Sequence, residues 1–206
     1  MQKNANADWV HVRMKMMDFK APHAAPLIAY ADRVAEASGL EPGQVPYPDP
    51  EHGGTNAEVL FILSHPGEQA IRERGGSGLL SLENSDYASA NCFDHCERVG
   101  LRFDRITHWN AVPQPLPKGK DPTQPQIRAG AQWLPGLLEL LPHLRTVVLL
   151  GRNAERAWDE VFDEGYLTPV RGPSPGRQGM ANRDAAHSLG ATFDEIMVRL
   201  QTPVPG

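Results

Sequence analysis

Four apolar, strand-like runs alternate with amphipathic, helix-like segments along this chain, and this alternation restricts the fold more than any other feature. The runs are residues 57–63, 103–107, 146–150 and 166–170. The first is continuously apolar, as expected of a strand covered on both faces. Strands that alternate with helices imply right-handed crossovers and a parallel sheet. The expected architecture is therefore α/β, a three-layer α/β/α arrangement around a central, mostly parallel four-stranded sheet.

The helical segments are marked by spacing. Leu27, Ile28, Ala31, Val34 and Ala35 recur at helical intervals over residues 24–38, and Gly39 follows as a stop. Residues 86–99, 126–141 and 184–200 read the same way, with Pro135 expected to kink or split the second of these. Asn153 is placed to cap a helix whose buried face is Ala154, Ala157, Trp158, Val161 and Phe162. Pro169 suggests that the last strand lies at an edge. Residues 1–22 have no clear periodicity. Residues 1–44 read as an arm and helix attached to a domain spanning 45–206, the two forming one structural unit.

The ends of these strands carry the polar motifs. Ser64-His65-Pro66-Gly67 follows the first strand, His108-Trp109-Asn110-Ala111-Val112-Pro113 the second, and Gly172-Pro173-Ser174-Pro175 the last. Open α/β sheets bind ligands outside the carboxyl ends of their strands, so these motifs are expected to share one crevice. A Pro-Gly pair lets the backbone approach a flat ligand closely. His65 either acts as a general base or orients a water, or else it hydrogen-bonds the neighbouring loop. Asn110 presents a donor and an acceptor side by side, which matches the edge of a pyrimidine or simply satisfies a turn. Trp109, its neighbour in an extended run, should point into the core.

Charge and cysteine content narrow the function classes. The net charge is −5, which argues against a sequence-independent nucleic-acid coat protein. Local basic rims are present: Lys118, Lys120 and Arg128 follow the second motif, and Arg171, Arg177 and Arg183 surround the third. Cys92 and Cys96 are too few for a structural zinc or an iron–sulfur cluster and read as buried helix residues. No cofactor, metal or metal cluster is expected. No run approaches the roughly 20 apolar residues that span a bilayer, and there is no signal-peptide core, so no membrane association and a cytoplasmic location are expected.

Taken in order, the motifs resemble those of the uracil-DNA glycosylase superfamily, most closely bacterial members without an iron–sulfur cluster. Asp49-Pro50-Glu51-His52-Gly53-Gly54 is similar to the D-P-x-x-G-G loop that precedes the first strand in that family. Ser64-His65-Pro66-Gly67 stands where a glutamate-alanine-proline-glycine type motif is found. Ser81-Leu82-Glu83-Asn84-Ser85-Asp86-Tyr87-Ala88-Ser89-Ala90-Asn91 is similar to a run of the form S-x-x-N-x-D-x-x-A-x-N, and Trp109-Asn110-Ala111-Val112-Pro113 matches W-N-x-V-P. Gly151 and Ala154 follow, then Gly172-Pro173-Ser174-Pro175 with Asn182-Arg183 beyond it. The likeness covers roughly residues 45 to 200.

The resemblance implies base flipping, capture of uracil or a related deaminated base, and hydrolysis of its N-glycosidic bond in DNA. It implies that Asn110, Ser64, Gly67 and Leu79 surround the base. It implies phosphate contacts from Ser174 and Arg183, with Arg177 beside them; because the family's own catalytic groups are absent, His65 or Asn84 is expected to position the attacking water. Three groups depart from the family pattern. Ser64 and His65 replace the first motif's acid or amide, Leu79 stands at the stacking aromatic position, and Gly172 replaces the last motif's histidine. The alternatives are a catalytically silent binder of DNA or a nucleobase, and a small-molecule enzyme acting on nucleosides.

Overall fold

The computed structural model describes residues 1–163, 167–181 and 183–202, without the side chain of Arg183. The chain folds as an α/β protein. Its central sheet is formed by β2 (Val59–Leu63), β4 (Ile106–Asn110), β5 (Thr146–Leu150) and β6 (Val170–Gly172), in the order β4-β2-β5-β6. All three pairings are parallel. A two-residue parallel ladder joins β1 (Tyr47–Pro48) to β3 (Leu79–Leu80) beside it.

Helices cover both faces. Leu60, Ile62, Trp109, Val147 and Leu149 point to one side, where they meet α2 (Ala25–Ala37), α4 (Gln124–Ala131), α5 (Leu134–Leu138) and α6 (Arg152–Val161). Val59, Phe61, Ile106, Val148, Leu150 and Val170 point to the other, against α3 (Tyr87–Val99) and α7 (Arg183–Gln201). Alternate residues of each strand thus serve separate apolar cores, as the period of two in a strand requires. Trp109 is fully buried in the first core, as its position beside Asn110 predicts.

Three local expectations are corrected. The second strand starts later than its apolar run: Phe103–Arg105 form a 3-10 turn, and β4 takes up Ile106 through Asn110. His108 and Asn110 therefore belong to the sheet itself and not to a loop beyond it. The last strand is Val170–Gly172 rather than 166–170, part of the expected span lying outside the described residues. Gly151, not Asn153, caps α6. Pro135 splits the long amphipathic segment, with α4 ending at Ala131 and α5 starting at Leu134.

The N-terminal residues hold a helix that the sequence pattern conceals, α1 (Trp9–Met17). Its inward residues are Val12 and Lys15, both 0% exposed, whereas Val10, Met14 and Met17 are exposed. Lys15 Nζ donates to Asp49 Oδ2 at 2.6 Å and to Glu83 Oε2, and lies 3.4 Å from Glu51. Burial opposes the Lys15 charge, but the Asp49 and Glu83 carboxylates outweigh it and hold the ammonium above its ordinary range. Burial likewise opposes ionisation of Asp49, and the neighbouring His52 and Lys15 charges hold its carboxyl below the usual range. This buried ion cluster joins the N-terminal helix to the two loops that flank the β1–β3 ladder. Among the described residues no helix is long and apolar enough to cross a membrane.

Candidate functional site

The carboxyl ends of β2 and β4 open into a cleft of about 250 Å³ between the sheet and α3. Its walls include Ser64, His65, Pro66 and Gly67 from the first motif, His108 and Asn110 from β4, and Ser174 to Gly176 from the last motif. Asn84, Ala88 and Cys92 complete the α3 side. Pockets for drug-sized ligands run from about 300 Å³ upward, so this one suits a smaller molecule. It opens onto a shallower groove lined by Arg152, Asn153, Arg177 and Gln178.

Parallel pairing brings the first two motifs together. Leu63 lies opposite Asn110 in the β2–β4 register. Beyond the last rung, Ala111 N–H donates to Leu63 O at 2.7 Å and Val112 N–H to Ser64 O at 2.9 Å. The third motif is held from two sides. Gly151 N–H donates to Gly172 O at 2.8 Å, and Asn91 Nδ2 donates to Pro175 O at 2.7 Å.

Asn110 is only 3% exposed, yet its Oδ1 has no hydrogen-bond partner. A buried acceptor left without a donor costs about 1–3 kcal/mol. On the wall of a cleft, such an atom is one that a ligand's N–H can satisfy.

At the rim, Ser64 Oγ and His65 Nδ1 lie 3.0 Å apart, and Asn153 Nδ2 donates to Ser64 Oγ at 2.9 Å. With His65 Nδ1–H donating to Ser64 Oγ, the lone pair of the neutral ring lies on Nε2. Burial pushes the His65 pKa below its ordinary value, partly opposed by Asp121 and Glu68. The ring is therefore neutral at neutral pH and free to accept a proton.

One expected site residue is placed elsewhere, and a second is bonded to the protein. Leu79 is fully buried in β3, in the apolar core with Trp109, and Leu80 is the residue that reaches the cleft. The one-residue alternation of an extended segment accounts for this correction. Asn84 lines the cleft, but its side chain is committed to the protein. Oδ1 accepts from Ser77 Oγ at 2.8 Å and from Asn6 Nδ2 at 3.0 Å, while Nδ2 donates to Leu79 O at 2.8 Å. It braces the wall in place of orienting a water.

The basic rim is thinner than the sequence suggests. Arg171 pairs with Asp159 at 2.6 Å and Arg128 with Glu160 at 3.0 Å. Arg177 is exposed and rests over the Tyr87 ring. Lys118, Lys120 and Arg152 make no ion pair among the described residues. The Arg183 side chain and Asn182 lie outside them.

Gly172 is held to glycine by its neighbours. A Cβ there would stand 2.6 Å from Thr192 Oγ1 and 2.8 Å from Thr192 Cγ2 on α7. A histidine at this position would press on the Thr192 side chain, whose Oγ1 bonds Ser188 O within α7. Gly172→His is expected to lower stability by about 1–3 kcal/mol, read by denaturant unfolding; unchanged stability would contradict this packing.

Neither cysteine offers a thiolate. Both are buried, which pushes the Cys92 thiol up to about 12 and the Cys96 thiol well above its ordinary value. One set of ligand-type side chains, His11, Glu51 and Glu83, gathers within 4.8 Å among the described residues. The Lys15 ammonium already bonds the Glu83 carboxylate and lies 3.4 Å from Glu51.

Compared with known proteins, the chain matches no family model and no curated sequence. The functional reading therefore rests on the cleft.

Asn153, which holds Ser64 at the rim, is a part of the site that the motifs did not indicate. For Asn153 the signal was present but pointed elsewhere: an asparagine just after a strand-end glycine also fits a helix cap.

Proposed function

We propose that the chain is a divergent relative of the uracil-DNA glycosylase superfamily, which takes a flipped-out uracil or related deaminated base into the cleft and hydrolyses its N-glycosidic bond. The observation that carries the reading is the buried, partnerless Oδ1 of Asn110 on the wall of a small cleft at the strand ends. The ordered sequence motifs support it, since the residues they provide line that cleft. A base outside its stack is read by hydrogen bonds to its Watson–Crick edge, and Asn110 offers an amide for that edge.

In this mechanism the base lies against Asn110, with its sugar toward the rim. His65 stands at the rim with a neutral ring, positioned by Ser64 and Asn153. It accepts a proton from the attacking water as the sugar develops positive charge. The Gly172–Gly176 turn and Arg177 border the groove where the phosphate backbone would run.

The experiment is release of uracil from labelled single- and double-stranded oligonucleotides, with His65→Ala alongside. The expected result is release that falls by about 100-fold in the variant, the usual worth of a positioned acid or base. Because His65 acts as the neutral form and its pKa is depressed, activity should be level through neutral pH. It should fall only as pH drops below the ordinary histidine range. A native protein that releases no base, or release unchanged in the variant, would overturn the mechanism.

A second reading has its own observation. Among the described residues the only carboxylate lining the cleft is Asp86. Its oxygens accept from Ser89 N–H at 3.0 Å and Ser89 Oγ at 2.8 Å, capping α3. A cleft without an uncommitted acid fits a protein that binds the base and does not cleave it. DNA binding that prefers uracil with no release of base would favour this reading.

A further inference from the structure

The floor of the cleft contains a second polar group that the proposed mechanism leaves unused. His108 lies two residues before Asn110 on β4, on the same face of the sheet, and lines the cleft. It is 5% exposed, and neither of its ring nitrogens has a hydrogen-bond partner. The ring lies flat on Phe61, with centroids 5.3 Å apart and planes inclined by 17°. His52 sits behind it, with centroids 5.2 Å apart, and also has both nitrogens unpartnered.

We propose that His108 is a second reader of the bound base, contacting the edge farthest from the sugar. The inference rests on the reading of the cleft as a base pocket and goes beyond it in naming what the deep end recognises.

The geometry supports it in three ways. Two residues along a parallel strand advance by about 6.6 Å, so His108 meets a ligand more deeply than Asn110 does while facing the same space. The ring cannot tilt freely, because Phe61 holds one face and His52 stands close by. A neutral imidazole offers one N–H donor and one acceptor. Burial holds His108 well below its ordinary pKa, with His52 acting in the same direction and Asp49 opposing, so that neutral pair of functions is what the ligand meets.

The packing argues the same way. Phe61, Phe103 and Phe193 surround this part of the core, and a phenylalanine in place of His108 would stack on Phe61 without stranding two polar atoms. A buried imidazole without partners carries a desolvation cost that a ligand bonding to it would relieve. The ligand class that follows is a flat oxo-heterocycle with hydrogen-bonding groups on its inner edge as well as on the edge beside Asn110.

The test uses free uracil and free hypoxanthine as probes, titrated into the full chain labelled with nitrogen-15 in its histidine rings. His108→Phe assigns the resonances and, as an apolar replacement of similar shape, is expected to fold with a melting temperature at or above that of the native chain. On saturation with a probe, a His108 ring nitrogen should shift. His108→Phe should weaken that probe's binding by about tenfold or more, the scale of one lost hydrogen bond, while His52→Phe leaves it within twofold. Binding that is lost in Asn110→Ala but unchanged in His108→Phe, with the His108 resonances unmoved, overturns this inference alone. A native chain that binds neither probe overturns the base-pocket reading and this inference with it.

Discussion

Lys15→Met should destabilise the protein by about 3–5 kcal/mol, the cost of removing one partner from a buried ion pair. Lys15 is fully buried and holds Asp49 and Glu83, both also buried. Without it, two buried carboxylates lose the ammonium that bonds them both. A whole domain is stable by only about 5–15 kcal/mol, so denaturant unfolding should register the loss directly.

The pH dependence sharpens this test. In the native protein the Asp49 carboxyl is lowered, so its contribution is complete above about pH 4 and is lost as pH falls through its folded value. Lys15 is raised, so its contribution is complete below about pH 10 and is lost as pH rises through its folded value. Stability from the cluster therefore spans the interval between. In Lys15→Met the burial of Asp49 loses the counterweight that Lys15 supplies, and its carboxyl should rise instead. That burden grows as pH rises, so the variant should gain stability as pH falls from about 8 to about 5. A native-like slope, or a loss under 1 kcal/mol, would contradict a buried ion cluster at this position.

Gly130→Ala should be nearly as damaging, despite improving helix propensity. A Cβ on Gly130 would stand 2.0 Å from Ala111 O, 3.0 Å from Ala111 C and 3.1 Å from Val112 Cα. All three are backbone atoms and cannot rotate away. Exchanging glycine for alanine inside a helix is worth about 1 kcal/mol on propensity alone. Forcing α4 off the chain that follows β4 costs about 3 kcal/mol or more, so the clash decides the sign. Ala111 directly follows Asn110, so the displacement should also weaken base binding. Unfolding and binding measured on the same variant check both. A more stable Gly130→Ala would mean that α4 is not packed this closely.

The close glycine contacts and the ion cluster were unequally visible in the sequence, as were the helices they join. Helices α2, α3 and α7 were legible because each keeps an uninterrupted apolar face, such as Leu27, Ala31 and Val34 in α2. Helix α1 was not. Its outward positions carry Val10 at 65%, Met14 at 62% and Met17 at 81% exposure, while a lysine points inward. The usual inside-out pattern is reversed, and only the Asp49 and Glu83 partners make the reversal tolerable. Pairing over that distance leaves no local signal.

The same physics governs the site. Asn110 was legible because a strand-end asparagine before Ala-Val-Pro has few uses. His108 was not, since a polar residue next to a tryptophan reads as loop. In the fold it is a strand residue opposite Phe61, buried by the helices on that face. Leu79 and Leu80 show the limit of motif alignment: one step along an extended segment moves a side chain from cleft to core.

The claim on which the functional account depends is that Asn110 reads a base in this cleft. The direct measurement compares affinity for a duplex bearing one uracil with affinity for the same duplex bearing thymine at that place, in the native chain and in Asn110→Ala. The account predicts a preference for uracil in the native chain, its loss in the variant, and unchanged affinity for the thymine duplex. No preference in the native chain, or a preference that survives in Asn110→Ala, would contradict it.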